Sequence, residues 1–595
     1  MEFRKLIGYR IWGIPAALVA RYLLGLLSLF ALLMIFTAAV GHGIRLKYEV
    51  MVFFGDSALI MAPVFLLPRR WRWTAVIPVA LLALYLIGSE IYYRYWGDFL
   101  PLTSIFTSAS WNGFVAGSIP GMFSLTDGVM LLIPVVYGCV VWLLGKAEAR
   151  WSAGKPDASF RRRGAAFFVS VVFWALTFAC GLLQHRGYLR SIDADSSPGA
   201  VVASRLRSSS SLYGNWQSGL PIYFYLEIKN LFERGSRLQL TEEERAFVDR
   251  VLGVRKREEL TFTPPINRSK NLIFIIVESL NADIVGKKYA GRSVTPLLDS
   301  LLRMPGTVAA LNIKAQIGAG GSSDGQLIYN TGMLPVYHGC TAQLYASSST
   351  FPSLAKTLGK KVAREYIVEE GRVWFHTATS KAYGYDRLND AARLDSLGIE
   401  PAELGGDRAV FTMALTELPA LPQPFLAEIV TLSMHFPYED PGVPRQEWID
   451  ALTGIGTSER NYLQMTSYFD RELGRFLRGL KEKGLYDSSV IVIASDHDQL
   501  YRDVTDVASS QNVSPIVFMA LNTGLTERID RPAWQMDVYP TVLDLMGYDG
   551  DGYRGIGRSL FVAGAETDSV SVEDCRRASD LIIRSDFFGN GVGGF

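Results

Sequence analysis

The chain of 595 residues contains few cysteines and histidines and has no excess of charge of either sign. Its four cysteines exclude a fold held together by disulfides. Because Cys139 and Cys180 fall inside apolar runs, only Cys340 and Cys575 could pair outside a membrane. Lys and Arg number 59 against 58 Asp and Glu, which removes the usual electrostatic case for a nucleic-acid-binding protein. Only 20% of the residues are charged, whereas 49% are hydrophobic, and the mean hydropathy of +0.17 predicts that part of the chain lies in a membrane.

The apolar residues are concentrated in the first 185 positions, which contain five stretches close to the ~20 residues needed to cross a bilayer. They are Leu23–Val40, Val50–Leu67, Thr74–Tyr92, Gly128–Gly145 and Ala165–Leu183. The second stretch is the weakest because Asp56 interrupts it. Although the first stretch has features of a signal peptide, the four that follow favour a membrane anchor. We therefore predict an α-helical polytopic membrane domain with five spans at residues 1–185.

Lys and Arg are unevenly distributed among the segments that flank these stretches. They cluster before the first stretch, between the second and third, and between the fourth and fifth: Arg4, Lys5, Arg10, Arg69, Arg70, Arg72, Lys146, Arg150, Lys155 and Arg161–Arg163. The alternate loops hold only Arg45, Lys47 and Arg94. Because positively charged loops stay in the cytoplasm, we predict a multi-pass protein of the cytoplasmic (inner) membrane. Its N-terminus lies inside, and everything after residue 185 is extracytoplasmic.

The second half of the chain has the pattern of a folded α/β domain. Residues 186–265 are predicted to form a juxtamembrane linker with helices, one of which begins at the capping box Thr241–Glu244. Short apolar runs then alternate with helical segments such as Thr295–Leu302, Phe351–Leu358 and Tyr462–Lys483. The runs predicted to be buried strands are Leu272–Val277, Ala427–Leu432 (interrupted by Glu428 and Thr431), Val490–Ala494 and Ile516–Leu521. This alternation indicates a largely parallel central sheet at 266–565, followed by a C-terminal tail at 566–595.

Three of the predicted strands end in residues that bind metals or exchange protons. Glu278 follows the first strand, Asp496 and His497 follow the strand that begins at Val490, and His435 follows the strand that begins at Ala427. Since open α/β sheets bind ligands at the carboxyl ends of their strands, we expect these side chains to lie together. Taken one at a time they have simpler explanations, such as a helix cap for Glu278 or an ordinary surface ending for Asp496 and His497.

A glycine-rich segment, Gly318–Asp324, precedes the helix-like Gln326–Met333. Glycines that lead into a helix leave backbone N–H groups free for an anion, although such runs are also common as plain turns. A serine at this position becomes a good nucleophile when a bound metal ion lowers its pKa and neutralises phosphoryl oxygens. Glu278, a serine oxygen, Asp496 and His497 would together hold one divalent ion. Three oxygen ligands and one nitrogen ligand suit Mn²⁺ or Zn²⁺ and are compatible with Mg²⁺.

These motifs resemble the lipoteichoic acid synthase branch of the alkaline phosphatase and sulfatase superfamily. The resemblance covers the whole chain and is carried, in family order, by Asn271–Ser279, Thr295–Asp299, Gly318–Asp324, Ser433–Pro437, Ser495–His497 and Gln535–Asp544. It implies a sulfatase-like catalytic domain outside the membrane. It also implies transfer of phosphoglycerol from a phospholipid such as phosphatidylglycerol to a hydroxyl-bearing glycan or lipid, through a covalent phosphoryl-enzyme intermediate.

The same resemblance implies roles for individual residues. Ser322 is the expected nucleophile and faces one divalent metal ion, for which we expect Mn²⁺, together with Glu278, Asp496 and His497. His435 is the expected catalytic and substrate-binding histidine.

This chain departs from the synthase pattern in two places. The nucleophile is Ser322 where threonine is usual, and it is followed by a second serine, Ser323. After Phe375-His376 the synthases carry an Asp, a Trp and an Arg that grip glycerol phosphate, whereas here this segment is shortened. His376 carries over, and Lys381 is the candidate for the missing positive charge. We therefore expect His376, His435, Ser323 and Lys381 to bind the substrate.

Other functions remain to be weighed against this one. A phosphoethanolamine transferase is the main alternative, although its Asp-His-Gly-Glu-Ser motif is replaced here by Asp496-His-Asp-Gln-Leu500 and no histidine follows His497. A formylglycine sulfatase needs a Cys/Ser-x-Pro-x-Arg motif, which follows neither Ser322 nor Cys340. A two-metal phosphodiesterase needs more ligands than six histidines readily supply. A non-catalytic membrane scaffold is disfavoured by the intact set of predicted metal ligands.

Overall fold

The structure is a computed structural model of the chain. It describes residues 10–40, 49–96, 100, 102, 123–151, 157–191, 197–198, 219–233, 237–255, 265–318, 320–337, 339–498, 514–548, 553–562 and 570–589. These residues form two compact units, of which the first contains the described residues up to Glu233 and the second those from Arg237 onward.

The described part of the first unit is helical. Its helices include Ala16–Ala39, Glu49–Met61, Val76–Trp96, Leu125–Trp151, Phe160–Ser191 and Leu220–Glu233, with 3₁₀ turns at Ala62–Phe65 and Arg69–Ala75 and a small hairpin of Arg10–Ile11 with Ile14–Pro15. Four helical segments are long and apolar enough to cross a membrane: Ala16–Ala39, Arg69–Tyr93, Leu125–Arg150 and Phe160–Gly187.

The second predicted span forms a shorter apolar helix, Val50–Phe65, so that five spans are not confirmed. Its α-helical part ends at Met61, and Pro63 lies in the 3₁₀ turn that follows. Proline has no N–H to donate to the preceding turn, which accounts for the end of the α-helix at this point.

Charged residues from three predicted cytoplasmic segments meet within the first unit. Arg21 Nη1 lies 2.7 Å from Glu148 Oε2, and Arg72 contacts both Glu148 and Asp157, the latter at 2.6 Å. The side chains of Arg21, Arg72 and Glu148 are buried, and buried charges of this kind need a partner of opposite sign. The loops that carry most of the positive charge therefore lie at the same end of the helices.

Asp56, the residue that interrupts the second predicted span, has a structural role. Its carboxylate is buried and accepts the N–H of Leu220 at 2.7 Å and the indole N–H of Trp174 at 3.0 Å. Leu220 is the first residue of the helix Leu220–Glu233. Asp56 thus binds the start of this helix, where a negative charge is favourable.

The second unit is built on a sheet of nine described strands. In chain order they are β1 (Asn271–Val277), β2 (Val308–Lys314), β3 (Val362–Tyr366), β4 (Arg387–Asn389), β5 (Phe425–Val430), β6 (Ser489–Ser495), β7 (Ile516–Leu521), β8 (Glu527–Ile529) and β9 (Ala533–Trp534). Their order across the sheet is β8-β2-β7-β6-β1-β5-β3-β4, with β9 also paired to β2. Only β7 runs against the other described strands, which confirms the prediction of a largely parallel sheet.

Helices cover both faces of this sheet. They are Glu242–Arg255, Pro296–Leu301, Ser322–Thr331, Thr341–Tyr345, Leu354–Leu358, His376–Tyr383, Ala391–Ser396, Pro401–Leu404, Gly406–Glu417, Glu447–Asp450, Thr457–Glu482, Val538–Leu545 and Val572–Ser585. Alternate residues of β1 belong to two different hydrophobic cores, Ile273 and Ile275 to one and Leu272 and Phe274 to the other. A strand buried on both faces has the continuous apolar sequence that predicts it.

Two segments outside the predicted domain boundaries belong to this unit. The predicted capping box is present, with the N–H of Glu244 donating to Thr241 Oγ1 at 3.2 Å, and it begins the helix Glu242–Arg255. The helix Val572–Ser585 lies within the predicted C-terminal tail, yet its apolar face, including Ile582, is buried in the core. Its strong amphipathic pattern is the reason that it packs rather than extends into solvent. Cys340 and Cys575 are both buried, and they do not form a disulfide with each other.

Candidate active site

The carboxyl ends of β1 and β6 are joined by hydrogen bonds just beyond the sheet. The N–H of Ser279 donates to Asp496 Oδ1 and the N–H of Leu280 donates to Ser495 Oγ, both at 2.8 Å. Ser279 has a φ of 53°, in the left-handed region that residues other than glycine rarely adopt. Such a conformation persists only where surrounding contacts enforce it. The turn holds Glu278 and Asp496 side by side at the end of the sheet.

Glu278, Asp496 and His497 form a buried cluster whose possible ligand atoms all lie within 4.8 Å of one another. His497 Nε2 is 3.6 Å from Glu278 Oε1 and 3.6 Å from Asp496 Oδ2. Ser322 Oγ completes the group, at 3.1 Å from Glu278 Oε2 and 3.3 Å from His497 Nε2. The structure thus brings together the four residues predicted from the sequence to hold a metal ion.

The charges in this cluster fit a divalent cation. Asp496 Oδ2 is buried and accepts no hydrogen bond from the residues that the structure describes. Burial and the neighbouring Glu278 carboxylate raise the pKa of Asp496 to about 7. Burial alone would lower the pKa of His497, but the two carboxylates raise it to about 9. Two crowded carboxylates and an unpartnered oxygen need a positive charge between them, and three oxygens with one imidazole nitrogen are suitable ligands.

The helix Ser322–Thr331 places Ser322 in this cluster. Gly321, with a φ of 54°, precedes it in a conformation that favours glycine. The carboxylate of Asp324 accepts the N–H of Gly318 at 3.0 Å and the N–H of Gly320 at 2.8 Å. Asp324 thus binds two backbone N–H groups of the glycines that precede Ser322.

These bonds correct the prediction of several free N–H groups near Gly320–Ser323. The N–H of Gly320 is bound by Asp324, while those of Gly321 and Ser323 donate to the carbonyls of Gly318 and Gly320 at 3.3 and 3.1 Å. Within 320–323, the N–H of Ser322 is left without a partner among the described residues. A tight turn uses its own donors, so the site presents one backbone donor here.

The hydroxyl of Ser323 makes its contacts outside the cluster. Its hydroxyl donates to the carbonyl of Gly320 at 2.8 Å and lies 3.4 Å from Cys340 Sγ, and the side chain is buried. Successive residues of a helix point in directions about 100° apart, so only one of two neighbouring serines can face the metal ligands. The geometry assigns that position to Ser322.

Gly325 allows the nucleophile helix to approach the end of β6 closely. A Cβ atom at this position would lie 2.6 Å from the backbone oxygen of Asp496 and 2.9 Å from its Cα. Both distances are below normal van der Waals contact, and backbone atoms cannot move aside as a flexible side chain can. Glycine at 325 is therefore needed for Ser322 and Asp496 to share one site.

His435 lies in the loop after β5. The carboxylate of Asp407 holds this loop by accepting the N–H groups of Leu432 and Ser433 at 3.0 and 2.9 Å. His435 Nδ1 lies 2.7 Å from the carbonyl oxygen of Phe436, and its ring is 6.1 Å from that of Trp374. Burial lowers the pKa of His435, and the charges of His497 and Asp496 lie within electrostatic reach of it.

His376 is the first residue of the helix His376–Tyr383 and is buried. Its Nδ1 lies 2.7 Å from Glu365 Oε1, at the end of β3. Burial opposes the charged imidazole, but the bond to Glu365 and the nearby carboxylates outweigh it and raise the pKa of His376. Glu369 lies within electrostatic reach of both His376 and His435, which places the two histidines in one region.

Lys381, the candidate for the missing positive charge, lies apart from His376. It is exposed in the last turn of the same helix, and its side chain makes no hydrogen bond or ion pair with another described residue. Lys381 is five residues after His376, and each residue of a helix turns by about 100°. The two side chains therefore point about 140° apart and lie on different faces of the helix.

Several residues at this site have no motif of their own in the sequence. Glu365 and Gln326 contact one another inside the domain at 2.6 Å, and Thr431 Oγ1 accepts the N–H of Glu278 at 3.0 Å. Thr431 and Glu428 are nevertheless visible as polar interruptions of the apolar run that contains β5. A polar residue inside a buried strand requires a partner, and this requirement is the signal that could have identified them.

Comparison with known proteins places this site in a family. Residues 270–548 match the sulfatase family. The chain is 30% identical over 316 residues to lipoteichoic acid synthase 1 of Bacillus subtilis (strain 168), which covers 49% of this chain and 48% of that protein. It is 24% identical over 523 residues to lipoteichoic acid synthase 2 of the same strain, covering 83% of this chain and 75% of that protein. The chain thus spans about half of the first relative and three quarters of the second.

Among solved structures, the integral membrane protein lipooligosaccharide phosphoethanolamine transferase A from Neisseria meningitidis has a similar fold. The TM-score is 0.51 at 14% identity, covering 92% of this chain and 99% of that one. This similarity supports an architecture of apolar N-terminal helices followed by an α/β domain. With its curated relatives named as lipoteichoic acid synthases, the chain is an enzyme homologous to those synthases, and its residues 270–548 match the sulfatase family.

Proposed function

We propose that this protein transfers a phosphoglycerol-type head group from a membrane phospholipid to a hydroxyl acceptor, through a covalent phosphoryl-serine intermediate on Ser322. The observation that carries this proposal is the position of Ser322 Oγ, 3.1 Å from Glu278 Oε2 and 3.3 Å from His497 Nε2, at the start of a helix. A hydroxyl beside metal ligands and a helix N-terminus is suited to attack a phosphate. The sulfatase-family domain and the synthase relatives support the same chemistry.

The donor half-reaction forms one bond and breaks one. Ser322 Oγ attacks the phosphorus of the lipid, the bond from phosphorus to the diacylglycerol oxygen breaks, and diacylglycerol leaves after gaining a proton. The head group remains on Ser322 as a phosphodiester. A divalent ion held by Glu278, Asp496 and His497 would supply Lewis-acid chemistry, lowering the pKa of the hydroxyl and neutralising charge on the phosphoryl oxygens.

The histidines have different suitable roles because their pKa values are shifted in opposite directions. His376, with a raised pKa, is suited to donate a hydrogen bond to an oxygen of the transferred group or a proton to the leaving oxygen. His435, with a lowered pKa, is suited to accept a proton from the incoming hydroxyl. The acceptor oxygen then attacks phosphorus and releases Ser322, so that the two substrates react in turn.

The metal, the donor and the acceptor belong to the same proposal. We infer one divalent ion and favour Mn²⁺, with Zn²⁺ and Mg²⁺ as alternatives that the ligand set also suits. The proposed donor is phosphatidylglycerol, and the proposed acceptor is a hydroxyl-bearing glycan or lipid. Phosphoethanolamine transfer remains the second candidate, because Lys381, the residue expected to replace the head-group arginine, lies away from His376.

The donated head group can be identified by its mass. The full-length protein is incubated with vesicles of phosphatidylglycerol or of phosphatidylethanolamine, without acceptor, and digested for mass spectrometry. We expect a phosphoglycerol adduct on Ser322 with the first lipid and none on Ser323. A phosphoethanolamine adduct formed only with the second lipid would support the alternative. Turnover of either lipid without any serine adduct would contradict the covalent mechanism.

We also infer that residues after 185 lie outside the cytoplasmic membrane with the N-terminus inside. Support comes from ion pairs between the segments predicted to be cytoplasmic. Arg21 and Arg72 both pair with Glu148, and Arg72 also pairs with Asp157. A reporter enzyme that functions only outside the cytoplasm, fused after residue 270, is expected to be active. A second reporter that functions only in the cytoplasm provides the control, and its activity at this junction would reverse the orientation.

A further inference from the structure

Two buried carboxylates lie side by side beneath the proposed active site. Glu365 of β3 and Glu428 of β5 are paired directly across the two parallel strands, and both are fully buried. Two like charges in such a place are strongly unfavourable unless hydrogen bonds and a counter-charge compensate them. Neither residue is among the proposed metal ligands, so their presence requires a separate explanation.

The helix that begins at Ser322 supplies much of this compensation. Gln326 Nε2 donates to Glu365 Oε1 and to Glu428 Oε1, each at 2.6 Å. Asn330 Nδ2 donates to Glu428 Oε2 at 2.7 Å. Gln326 and Asn330 are four residues apart and therefore lie on the same helix face. The nucleophile helix is thus attached through two of its own turns to the carboxylate pair.

The remaining partners lie on the segment after β3. His376 Nδ1 is 2.7 Å from Glu365 Oε1, and the hydroxyl of Tyr385 donates to Glu428 Oε2 at 2.8 Å. His376 Nε2 has no hydrogen-bond partner among the described residues, which leaves it as the ring atom able to bind a ligand. The carboxylate pair therefore joins the helix that carries the nucleophile to the helix that begins with the proposed substrate histidine.

The charges in this network are unequal. Burial and the neighbouring Glu365 raise the pKa of Glu428 to about 7, so Glu428 readily holds a proton. Glu369 also lies within electrostatic reach of His376 and, like Glu365 and Glu428, raises its pKa. The contact between Glu365 Oε1 and His376 Nδ1, at 2.7 Å, favours the charged form of His376.

We propose that Glu365 is a positioning residue that fixes His376 through Nδ1 and keeps it positively charged, so that Nε2–H can bind a non-bridging oxygen of the substrate phosphodiester. This inference rests on the proposed function, in which His376 contacts the transferred group. In this proposal the imidazolium of His376 supplies the positive charge that the sequence suggested for Lys381. The phosphodiester is then held by an imidazolium attached to the same buried pair as the nucleophile helix.

Glu365→Gln tests the proposal because it removes the charge and keeps the size of the side chain. The probe is glycerophosphoglycerol, a soluble phosphodiester whose own charge is constant near neutral pH. Its binding is measured by calorimetry with the full-length protein carrying Ser322→Ala to prevent turnover, from about pH 5 to about pH 8, where histidine changes charge. A histidine binds the anion when the pH is below its pKa, where the imidazole is charged. Binding is lost as the pH rises through that pKa.

We expect Glu365→Gln to move this loss of binding to lower pH and to weaken binding near neutral pH about tenfold for each pKa unit removed. His376→Asn should abolish the pH-dependent part of binding, and adding Glu365→Gln to it should have no further effect on affinity. Glu417→Gln is the matched control, since Glu417 pairs with Arg393 at 2.5 Å and makes no hydrogen bond to Glu365, Glu428 or His376 in the described part of the chain. It should leave both affinity and pH dependence unchanged.

Several results would overturn the inference. They are an unchanged pH midpoint in Glu365→Gln, additive effects of the two substitutions, or no binding of the probe by the parent chain. If Glu365→Gln does not fold, His376→Asn provides the test. Binding that still depends on pH in that variant would overturn the inference, and loss of the pH dependence would support it. Glycerophosphoethanolamine is measured in parallel, because it carries the same phosphodiester. Tighter binding of that probe with the same dependence on Glu365 would contradict the proposed donor and leave the role of Glu365 intact.

Discussion

Replacing Ser322 by alanine is expected to abolish both cleavage of the donor lipid and transfer of its head group. Ser322 Oγ is the hydroxyl held beside Glu278 and His497, at 3.1 and 3.3 Å, and no other route to the covalent intermediate remains without it. Loss of a covalent nucleophile should lower kcat on the order of 10⁴-fold or more. Diacylglycerol release and transfer of a labelled head group are measured separately with the full-length protein.

The neighbouring serine provides the control for this experiment. Ser323→Ala should retain substantial activity, because the Ser323 hydroxyl donates to the carbonyl of Gly320 at 2.8 Å and is buried away from the cluster. Loss of that hydrogen bond should cost about 1 kcal/mol of stability. If Ser323→Ala is inactive and Ser322→Ala is active, the nucleophile is Ser323 and not Ser322. Activity in both variants would exclude a covalent serine at this position.

Asp496→Ala is expected to empty the metal site and to abolish turnover. Asp496 supplies the buried, unpartnered Oδ2, 3.6 Å from His497 Nε2, and its removal leaves too few ligands to compete with water for the ion. Metal content of the purified protein is measured by elemental mass spectrometry. A bound ion also stabilises the folded protein, by about 2.7 kcal/mol when its concentration is a hundredfold above Kd. A chelator should therefore lower the Tm of the parent chain and leave that of Asp496→Ala unchanged.

Asp487→Ala is a suitable control for this substitution. Asp487 is exposed and lies just before β6, at the opposite end of the strand that delivers Asp496. Metal content, activity and the effect of the chelator should all be those of the parent chain. Full metal content and full activity in Asp496→Ala would show that the ion, if present, is held elsewhere.

The residues at the ends of β1 and β6 can be predicted from the sequence. Strands buried on both faces have continuous apolar sequences, and the first polar residue after each run then marks the end of the strand. Glu278 follows its run directly, Asp496 follows the other run after Ser495, and the structure brings both into one cluster. The short or mixed strands are different, since β2 contains Asn312 and Lys314 and does not have the period of a buried strand.

The membrane half illustrates a similar limit. Composition predicts the apolar stretches, and four of them form helices long enough to cross a membrane. The second, Val50–Leu67, has enough apolar residues, but Pro63 interrupts its α-helical hydrogen bonding. The partner of Asp56 could not be predicted either, because Leu220 lies far along the chain and donates through its backbone.

The sequence by itself determined which residue types stand at the ends of the parallel strands, and therefore which residues we propose as metal ligands. Only the tertiary structure decided which serine faces the ligands, how many backbone donors remain, and that His376 is held by Glu365 while Lys381 is directed elsewhere. The reason is physical: strand ends follow from local hydrophobicity. The pairing of Glu365 with Glu428 and of both with Gln326 depends instead on the register of strands and helices that are distant in the chain.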